Sequence, residues 1–330
     1  MKVVDASTVS MPDTLANQAE YPQNPTQQRG VGFPIARIVV VFCLATGVVL
    51  DAALGRYQGK KTGENSLLRT LADAFAVGDV VLGDRYYGGW FDLALWQQRG
   101  VDAVVRLHQL RTADYRRGRR LGPGDHVVHW PKPPRPAWMD AASYAQLPAA
   151  LAVREVAVRV EQQGFRTQAL VVVTTLPDAT TFAAAELAKL YRMRWHAELD
   201  LRSLKITLGM DVLRCKSPAM VRKEIWAHFL AYNLIRAVMA RTASELGVAP
   251  RLLSFKGALQ AMTAIAEHLG HADAATGSAL QEWLVLMIGS YLVGDRPDRI
   301  EPRARKRRPK DYPHLHKPRH QARSFRYAKT

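Results

Sequence analysis

The chain has 330 residues, of which 48% are apolar and 23% charged, and it carries a formal net charge of +17 with a pI near 10.1. This composition excludes a disordered chain and is typical of a globular protein with a sizeable core. The positive charge favours a polyanionic partner, because Lys and Arg bind phosphate regardless of sequence. The two cysteines, Cys43 and Cys215, exclude a disulfide framework and a cysteine zinc site, so we expect a cytoplasmic protein.

The longest apolar run, IVVVFCLATGVVL, covers residues 38–50 and is shorter than the roughly 20 residues that a membrane-spanning helix needs. Its β-branched residues and Gly47 favour two strands joined by a turn, over residues 36–44 and 47–54. No signal peptide is recognisable at the start of the chain. We therefore expect no membrane partner.

Short apolar stretches that end on a carboxylate occur twice in the first third of the chain. The segment MKVVDAS predicts a strand that ends on Asp5, and VVLGDRYYGG predicts a strand followed by Asp84 and a glycine turn. Helices are expected over residues 64–78 and 90–100, and a further strand over 101–108. This alternation predicts a mixed α/β layer.

The sequence pattern changes after residue 108. Residues 109–180 contain basic turns, the Pro-rich WPKPPRP and apolar segments that alternate as strands do, which together predict a β-rich insertion. Helical regions follow near 181–208, 218–246 and 251–294, and the second begins with the helix-start pair Ser217-Pro218.

One helical stretch, YRMRWHAELDLRSLK from residue 191 to 205, carries an unusual mixture of side chains. At 100° per residue, four of them fall within one arc of about 60° on a regular helix. These four are Tyr191, Arg194, Glu198 and Lys205, at about 0°, 300°, 340° and 320°. An ordinary i,i+4 ion pair between Arg194 and Glu198 on a solvated face would explain part of this stripe.

Three carboxylates in this pattern suggest a metal site. Asp5 and Asp84 follow apolar strands and Glu198 lies on the helix, and carboxylate oxygens are the ligands that Mg²⁺ and Mn²⁺ prefer. A single Asp after a strand is more often a turn or cap residue, so each carboxylate is informative only together with the others. Asp51 is a rival for the first position, but it lies on the third predicted strand, whereas Asp5 lies on the first.

The order strand–Asp, strand–Asp, helix–Glu resembles the ribonuclease-H-like, retroviral-integrase-like fold of DDE transposases. The spacing Tyr-x2-Arg-x3-Glu-x6-Lys, matched by Tyr191, Arg194, Glu198 and Lys205, resembles the signature of bacterial insertion-sequence transposases of the IS-four type. The resemblance covers nearly the whole chain. It implies a mixed sheet with flanking helices and a β-rich insertion between the second Asp and the Glu, and it implies DNA cleavage at element ends with strand transfer into target DNA.

For the metal site, the resemblance implies two divalent ions, Mg²⁺ or Mn²⁺, held by the catalytic residues Asp5, Asp84 and Glu198. The implied partners are double-stranded DNA, at the element ends and at the target, and a second copy of the chain in a homodimer on DNA. Family members usually carry a DNA-binding domain before the first strand, and Asp5 is almost at the start of this sequence. We therefore expect that domain to be missing.

For DNA contacts, the resemblance implies that Tyr191, Arg194 and Lys205 reach phosphates near the scissile bond. Trp195 and Trp130 are candidates to stack on a flipped base, although ordinary packing would also explain either tryptophan. The tail from residue 301 to 330 has eleven Lys or Arg and two acids, so it is expected to contact DNA phosphates as well.

Four segments are therefore expected along the chain: the first part of the core, the insertion, the rest of the core with its C-terminal helices, and the basic tail. Their bounds are 1–108, 109–180, 181–300 and 301–330. Two other interpretations remain open. One is a ribonuclease-H-fold nuclease that cuts without joining, and the other is an inactive or truncated remnant that only binds DNA.

Overall fold

The computed structural model describes residues 1–159 and 169–294, together with residues 317, 318, 320 and 321. Nine strands in these residues form one sheet. Their bounds are β1 Lys2–Ser10, β2 Ile35–Cys43, β3 Val49–Arg56, β4 Val80–Leu82, β5 Asp102–Arg106, β6 Arg119–Gly122, β7 Asp125–Pro131, β8 Ala150–Arg159 and β9 Ala169–Thr174.

The α-helices of the described residues lie between and after these strands. Their bounds are α1 Leu15–Glu20, α2 Glu64–Thr70, α3 Trp90–Gln98, α4 Ala141–Gln146, α5 Ala184–Arg192, α6 Trp195–Arg202, α7 Pro218–Glu245, α8 Phe255–His271 and α9 Ala274–Ser290. None of the helices among the described residues is both long and apolar enough to cross a membrane.

The strand order is β3-β2-β1-β4-β5-β9-β8-β7-β6. β1 pairs with β4, and β4 with β5, in parallel, whereas the pairs from β5 through β9, β8 and β7 to β6 are antiparallel. The β-branched runs of β2 and β5 are buried, as expected for strands covered on both faces. The predicted mixed α/β architecture, with a large mixed sheet and helices, is confirmed.

The chain divides into two compact units. The first comprises residues 1–5, 40–52 and 68–200, and the second comprises 6–39, 53–67 and the described residues from 201 onward. In the first unit, α5 packs on the sheet through an apolar cluster that includes Val104, Val172, Leu187 and Tyr191. In the second unit, α7, α8 and α9 pack against one another.

Several elements predicted from periodicity are present with small shifts in their bounds. β2 and β3 lie where two strands were expected, and Gly47 between them adopts a left-handed conformation with φ of 80°. α7 begins at Pro218, directly after Ser217, as predicted. The third predicted helical region is two helices, because the Asp273 carboxylate accepts a hydrogen bond from the Thr276 N–H at 2.8 Å and begins α9.

The expectation that the first strand ends on Asp5 is wrong. β1 continues to Ser10, whose N–H donates to the Asp211 carbonyl at 3.0 Å and which forms a parallel bridge with Val212. The apolar run ends near Asp5, but a backbone partner about two hundred residues away in sequence extends the strand. The predicted tail at 301–330 lies almost entirely outside the described residues.

Candidate active site

Asp5 lies on β1, and Asp84 follows the end of β4, the parallel strand that pairs with β1. The β1–β4 pairing sets Val3 against Leu82, the last residue of β4, and Asp5 and Asp84 each follow this pair by two residues. Adjacent strands are separated by about 4.8 Å, so both carboxylates come from backbone just beyond the same end of the β1–β4 pairing. Asp51 lies on β3, and two strand spacings separate β3 from β1.

Asp84 also has a local structural role. It precedes a short 3-10 turn, Arg85–Tyr87, and its Oδ1 accepts a hydrogen bond from the Tyr86 N–H at 2.7 Å. The cap predicted as the ordinary role of such an Asp is therefore present. It uses one carboxylate oxygen, and the other has no hydrogen-bond partner among the described residues.

Arg106 is a residue that the sequence analysis did not single out. The β4–β5 pairing sets Leu82 against Val104 and the Gly83 N–H donates to the Val104 carbonyl at 3.2 Å, so Asp84 and Arg106 each follow the last paired residues by two positions. The Arg106 side chain makes no ion pair with any described residue. The sequence did contain a signal for Arg106, because it ends a buried apolar strand. The two candidate aspartates also follow apolar strands, and Arg106 repeats that pattern with the opposite charge.

The helical stretch that carries the signature is interrupted twice. α5 ends at Arg192, α6 begins at Trp195, and a π-helical turn follows over Ser203–Thr207. At the first interruption the Ala197 N–H donates to the Arg194 carbonyl at 3.0 Å, which is the i→i−3 bond of a 3-10 turn. The prediction of one regular helix is therefore wrong, and the 100° per residue on which the predicted arc depends does not hold through these turns.

Arg194 and Glu198 form the i,i+4 ion pair that the spacing predicts. The Arg194 Nη2 lies 2.8 Å from the Glu198 Oε1. The Arg194 side chain is 19% exposed, and that of Glu198 is 39% exposed. Burial opposes the charge of Arg194, but its hydrogen bond to Glu198 and the charges of Tyr191, Glu198 and Asp5 raise its pKa above the ordinary value.

Tyr191 belongs to the core and faces the site with its hydroxyl. Its ring is part of the apolar cluster beneath α5 and is 9% exposed. Burial raises the pKa of Tyr191, and Asp84 adds to this, whereas Arg194 and Arg106 lower it. These influences place the hydroxyl within electrostatic range of both the carboxylates and the cations of the site.

The two candidate stacking tryptophans have different environments. Trp195, at the start of α6, is 54% exposed. Trp130, on β7, is 5% exposed, and the Arg111 guanidinium lies 3.9 Å from its ring centroid. A base could stack on Trp130 only after Arg111 had moved away.

Trp130 belongs to a set of polar side chains between two paired strands, which we call the β7–β8 cluster. Its members are Asp125, His126, Trp130, Arg154 and Glu155. Glu155 accepts from the Trp130 Nε1–H at 3.0 Å and lies 2.9 Å from the His126 Nε2. Arg154 donates to both oxygens of Asp125, at 2.8 and 2.6 Å.

Lys205 lies in the π-helical turn, in the second unit. Its Nζ donates to the Ser7 Oγ at 3.0 Å. Burial lowers the pKa of Lys205, and the charge of Asp211 opposes this. The DNA contact expected of Lys205 stays a prediction from the sequence.

The three carboxylates do not form a ready metal site. Among residues 1–159 and 169–294, no group of three or more His, Cys, Asp or Glu side chains is placed to hold a metal ion. The donor chemistry of Asp5, Asp84 and Glu198 suits Mg²⁺ or Mn²⁺. Glu198 is engaged by Arg194 in this arrangement.

Comparison with known proteins identifies the family. A family model described as "Transposase DDE domain" matches residues 2–234. The chain belongs to this family. The resemblance drawn from the two aspartates and the Tyr-Arg-Glu-Lys spacing is thereby confirmed.

Individual relatives agree with this assignment. The chain is 28% identical over 307 residues to the transposase InsG for insertion sequence element IS4 of Escherichia coli strain K12, covering 92% of this chain and 66% of that protein. It is 38% identical over 66 residues to the transposase for insertion sequence element IS421 of Escherichia coli, covering 20% of this chain and 18% of that protein. The chain thus spans slightly less than two thirds of the length of the IS4 relative.

Among solved structures, the piggyBac transposase synaptic complex with hairpin DNA matches with a TM-score of 0.46 and 10% identity. The match covers 98% of this chain and 61% of that one. A TM-score below 0.5 does not establish a common fold.

Proposed function

We propose that this chain is the catalytic part of a DDE transposase, which cleaves DNA at the ends of an insertion sequence and joins those ends to target DNA. The observation that carries the proposal is the parallel β1–β4 pairing, since Asp5 and Asp84 both follow the same end of it, with the helix of Glu198 in the same unit. Membership of the transposase DDE family and the net charge of +17 support DNA as the substrate.

The sheet supports a ribonuclease-H-like core. The observation that supports it is the strand order β3-β2-β1-β4-β5, in which β1, β4 and β5 are parallel. β9 continues the sheet next to β5, and β8, β7 and β6 follow it. We propose that these four strands are the β-rich insertion of the family.

Family membership implies the use of a divalent metal ion. We propose that Asp5, Asp84 and Glu198 hold two ions, Mg²⁺ or Mn²⁺, since carboxylate oxygens are their preferred ligands. Bound ions of this kind activate the attacking oxygen and stabilise the leaving one in phosphoryl transfer. The chain's own part is to present Asp5 and Asp84 at the same end of the β1–β4 pairing and to release Glu198 from Arg194.

The cations beside the carboxylates suit the DNA backbone. Arg194 and Arg106 are guanidinium groups within the electrostatic range of Tyr191, and a guanidinium binds phosphate with two hydrogen bonds. The exposed ring of Trp195 suits stacking on an unpaired base better than the covered ring of Trp130. The homodimer on DNA stays part of the proposal, and light scattering with and without DNA tests it.

The test compares the wild type with Glu198→Gln in Mg²⁺- or Mn²⁺-dependent nicking and strand transfer on a duplex carrying the flanking element's own end. We expect Glu198→Gln to lower both activities by about 100-fold or more, because the amide cannot replace a carboxylate ligand. Glu245→Gln is the matched control, since Glu245 is also paired with an arginine four residues away, at 2.8 Å. The control variant should retain wild-type activity.

The same assay separates the alternatives. Nicking without strand transfer would favour a nuclease of the same fold. DNA binding with no metal-dependent activity in the wild type would favour a remnant that only binds DNA. Equal activity of Glu198→Gln and the wild type would contradict the proposed site.

A further inference from the structure

The contact between Arg194 and Glu198 occupies a proposed metal ligand. The Arg194 guanidinium lies 2.8 Å from the Glu198 carboxylate and is within electrostatic range of Asp5. Arg194 therefore pairs with the carboxylate on α6 and also senses the charge of the carboxylate on β1. A divalent ion held by the same carboxylates would compete with Arg194 for Glu198.

An ordinary surface ion pair is the alternative explanation, and the molecule contains one for comparison. Arg241 and Glu245 on α7 have the same i,i+4 spacing and the same distance of 2.8 Å. The Arg241 side chain is 66% exposed, whereas that of Arg194 is 19% exposed. Water therefore screens the α7 pair on most sides, but the contacts of the Arg194 guanidinium with carboxylates are partly desolvated and stronger.

A DNA phosphate offers the guanidinium an alternative partner. Phosphate accepts two parallel hydrogen bonds from the fork of an arginine guanidinium, as a carboxylate does. A phosphate at the site would therefore take over the hydrogen bond that Arg194 now gives to Glu198. Glu198 would then be available to bind a cation.

We propose that DNA binding moves the Arg194 guanidinium from Glu198 to a DNA phosphate, and that this exchange couples DNA binding to metal binding. The inference rests on the proposed function, because it takes Asp5, Asp84 and Glu198 as the metal ligands. Coupling of this kind is reciprocal, so metal also increases the affinity for DNA.

The experiment measures Mn²⁺ affinity by calorimetry, with and without saturating blunt-ended duplex DNA, for the wild type, Arg194→Gln and Arg241→Gln. In the wild type, duplex should raise the Mn²⁺ affinity by about tenfold or more. Arg194→Gln should bind Mn²⁺ about tenfold more tightly than the wild type without DNA and should lose most of the increase caused by DNA. Arg241→Gln removes the same charge away from the carboxylates and should behave as the wild type.

Two further measurements make the result interpretable. Fluorescence anisotropy sets the duplex concentration at saturation for each variant, since Arg194→Gln is expected to weaken DNA binding. Thermal unfolding checks that each variant is folded. Arg194→Lys keeps the charge but lacks the fork, and it should show an intermediate increase of Mn²⁺ affinity on DNA binding.

The outcomes distinguish this inference from the proposed function. Equal coupling in Arg194→Gln and the wild type, together with Mn²⁺ binding that Glu198→Gln abolishes, would overturn the exchange and leave the metal site standing. Mn²⁺ binding that is absent from the wild type with DNA, or unaffected by Glu198→Gln, would overturn both.

Discussion

In the β7–β8 cluster both oxygens of each carboxylate have a hydrogen-bond partner, whereas Asp84 and Glu198 each have one oxygen without a partner among the described residues. The side chain of Glu155 is 5% exposed, and that of Glu198 is 39% exposed. The two regions use the same residue types. They differ in whether donors of the protein itself occupy both oxygens of each carboxylate.

This difference separates structural from functional acids. A buried carboxylate costs folding free energy unless partners replace its water, so every oxygen of the β7–β8 cluster is held by a fixed donor. A carboxylate that is to bind an external cation must instead keep an oxygen accessible. The predictions below test whether stability depends on the first region and activity on the second.

The largest effect on stability is expected at Arg154, which is fully buried and holds both oxygens of Asp125. Its Nη1 also donates to the Phe182 carbonyl at 2.6 Å, just before α5. Arg154→Met should lower the free energy of unfolding by roughly 3–5 kcal/mol, because it leaves the Asp125 charge buried and unpaired. Urea unfolding measures the change.

The double variant Arg154→Met with Asp125→Leu is the control for this prediction. It removes both charges, so it should be less destabilised than Arg154→Met alone. If Arg154→Met alone lowered the free energy of unfolding by less than about 1 kcal/mol, this would contradict the view that the Arg154–Asp125 pair is structural.

A smaller loss of stability is expected when Trp130 is changed. Trp130→Phe keeps an aromatic ring but removes the indole N–H that donates to buried Glu155 at 3.0 Å. We expect the free energy of unfolding to fall by roughly 1–3 kcal/mol, which thermal unfolding measures. Trp195→Phe is the matched change at an exposed tryptophan and should leave stability unchanged; equal losses in both variants would remove the contrast between the two regions.

The smallest effect is expected at Tyr115, whose ring centroid lies 4.6 Å from that of His126. Its hydroxyl is buried with no hydrogen-bond partner among the described residues. Tyr115→Phe should leave stability unchanged or raise it by up to about 1 kcal/mol, because no hydrogen bond is lost. A clear loss of stability would show that the hydroxyl has a partner after all.

The pH dependence of stability provides a second readout for Tyr115. Burial, together with the charges of Glu155 and Asp125, raises the pKa of Tyr115 from 10.0 to about 12. The folded state therefore retains the proton that the unfolded state loses, and stability should fall as pH rises from 10.0 to about 12. Tyr115→Phe should lack the part of this loss of stability that comes from ionisation of the Tyr115 hydroxyl.

Local patterns in the sequence predicted much of the fold. The β-branched runs predicted β2 and β5, and Ser217-Pro218 predicted the start of α7, because each signal and its consequence lie within a few residues. The Arg194–Glu198 pair followed from i,i+4 spacing for the same reason. The spacing of the signature with the two ordered aspartates also led to the family.

What the sequence by itself determined is the set of local elements, the family and the candidate acids Asp5, Asp84 and Glu198. Only the tertiary structure decided that β1 continues to Ser10 and that Trp130 is covered by Arg111. It also decided that Asp84 and Arg106 follow the same end of the β4–β5 pairing, and that the signature helix is interrupted twice, where no glycine or proline marks the break. The extension of β1 and the cover of Trp130 depend on partners about two hundred and about twenty residues away in sequence, and hydrophobic periodicity carries no information about which distant segment supplies a hydrogen bond or covers a ring.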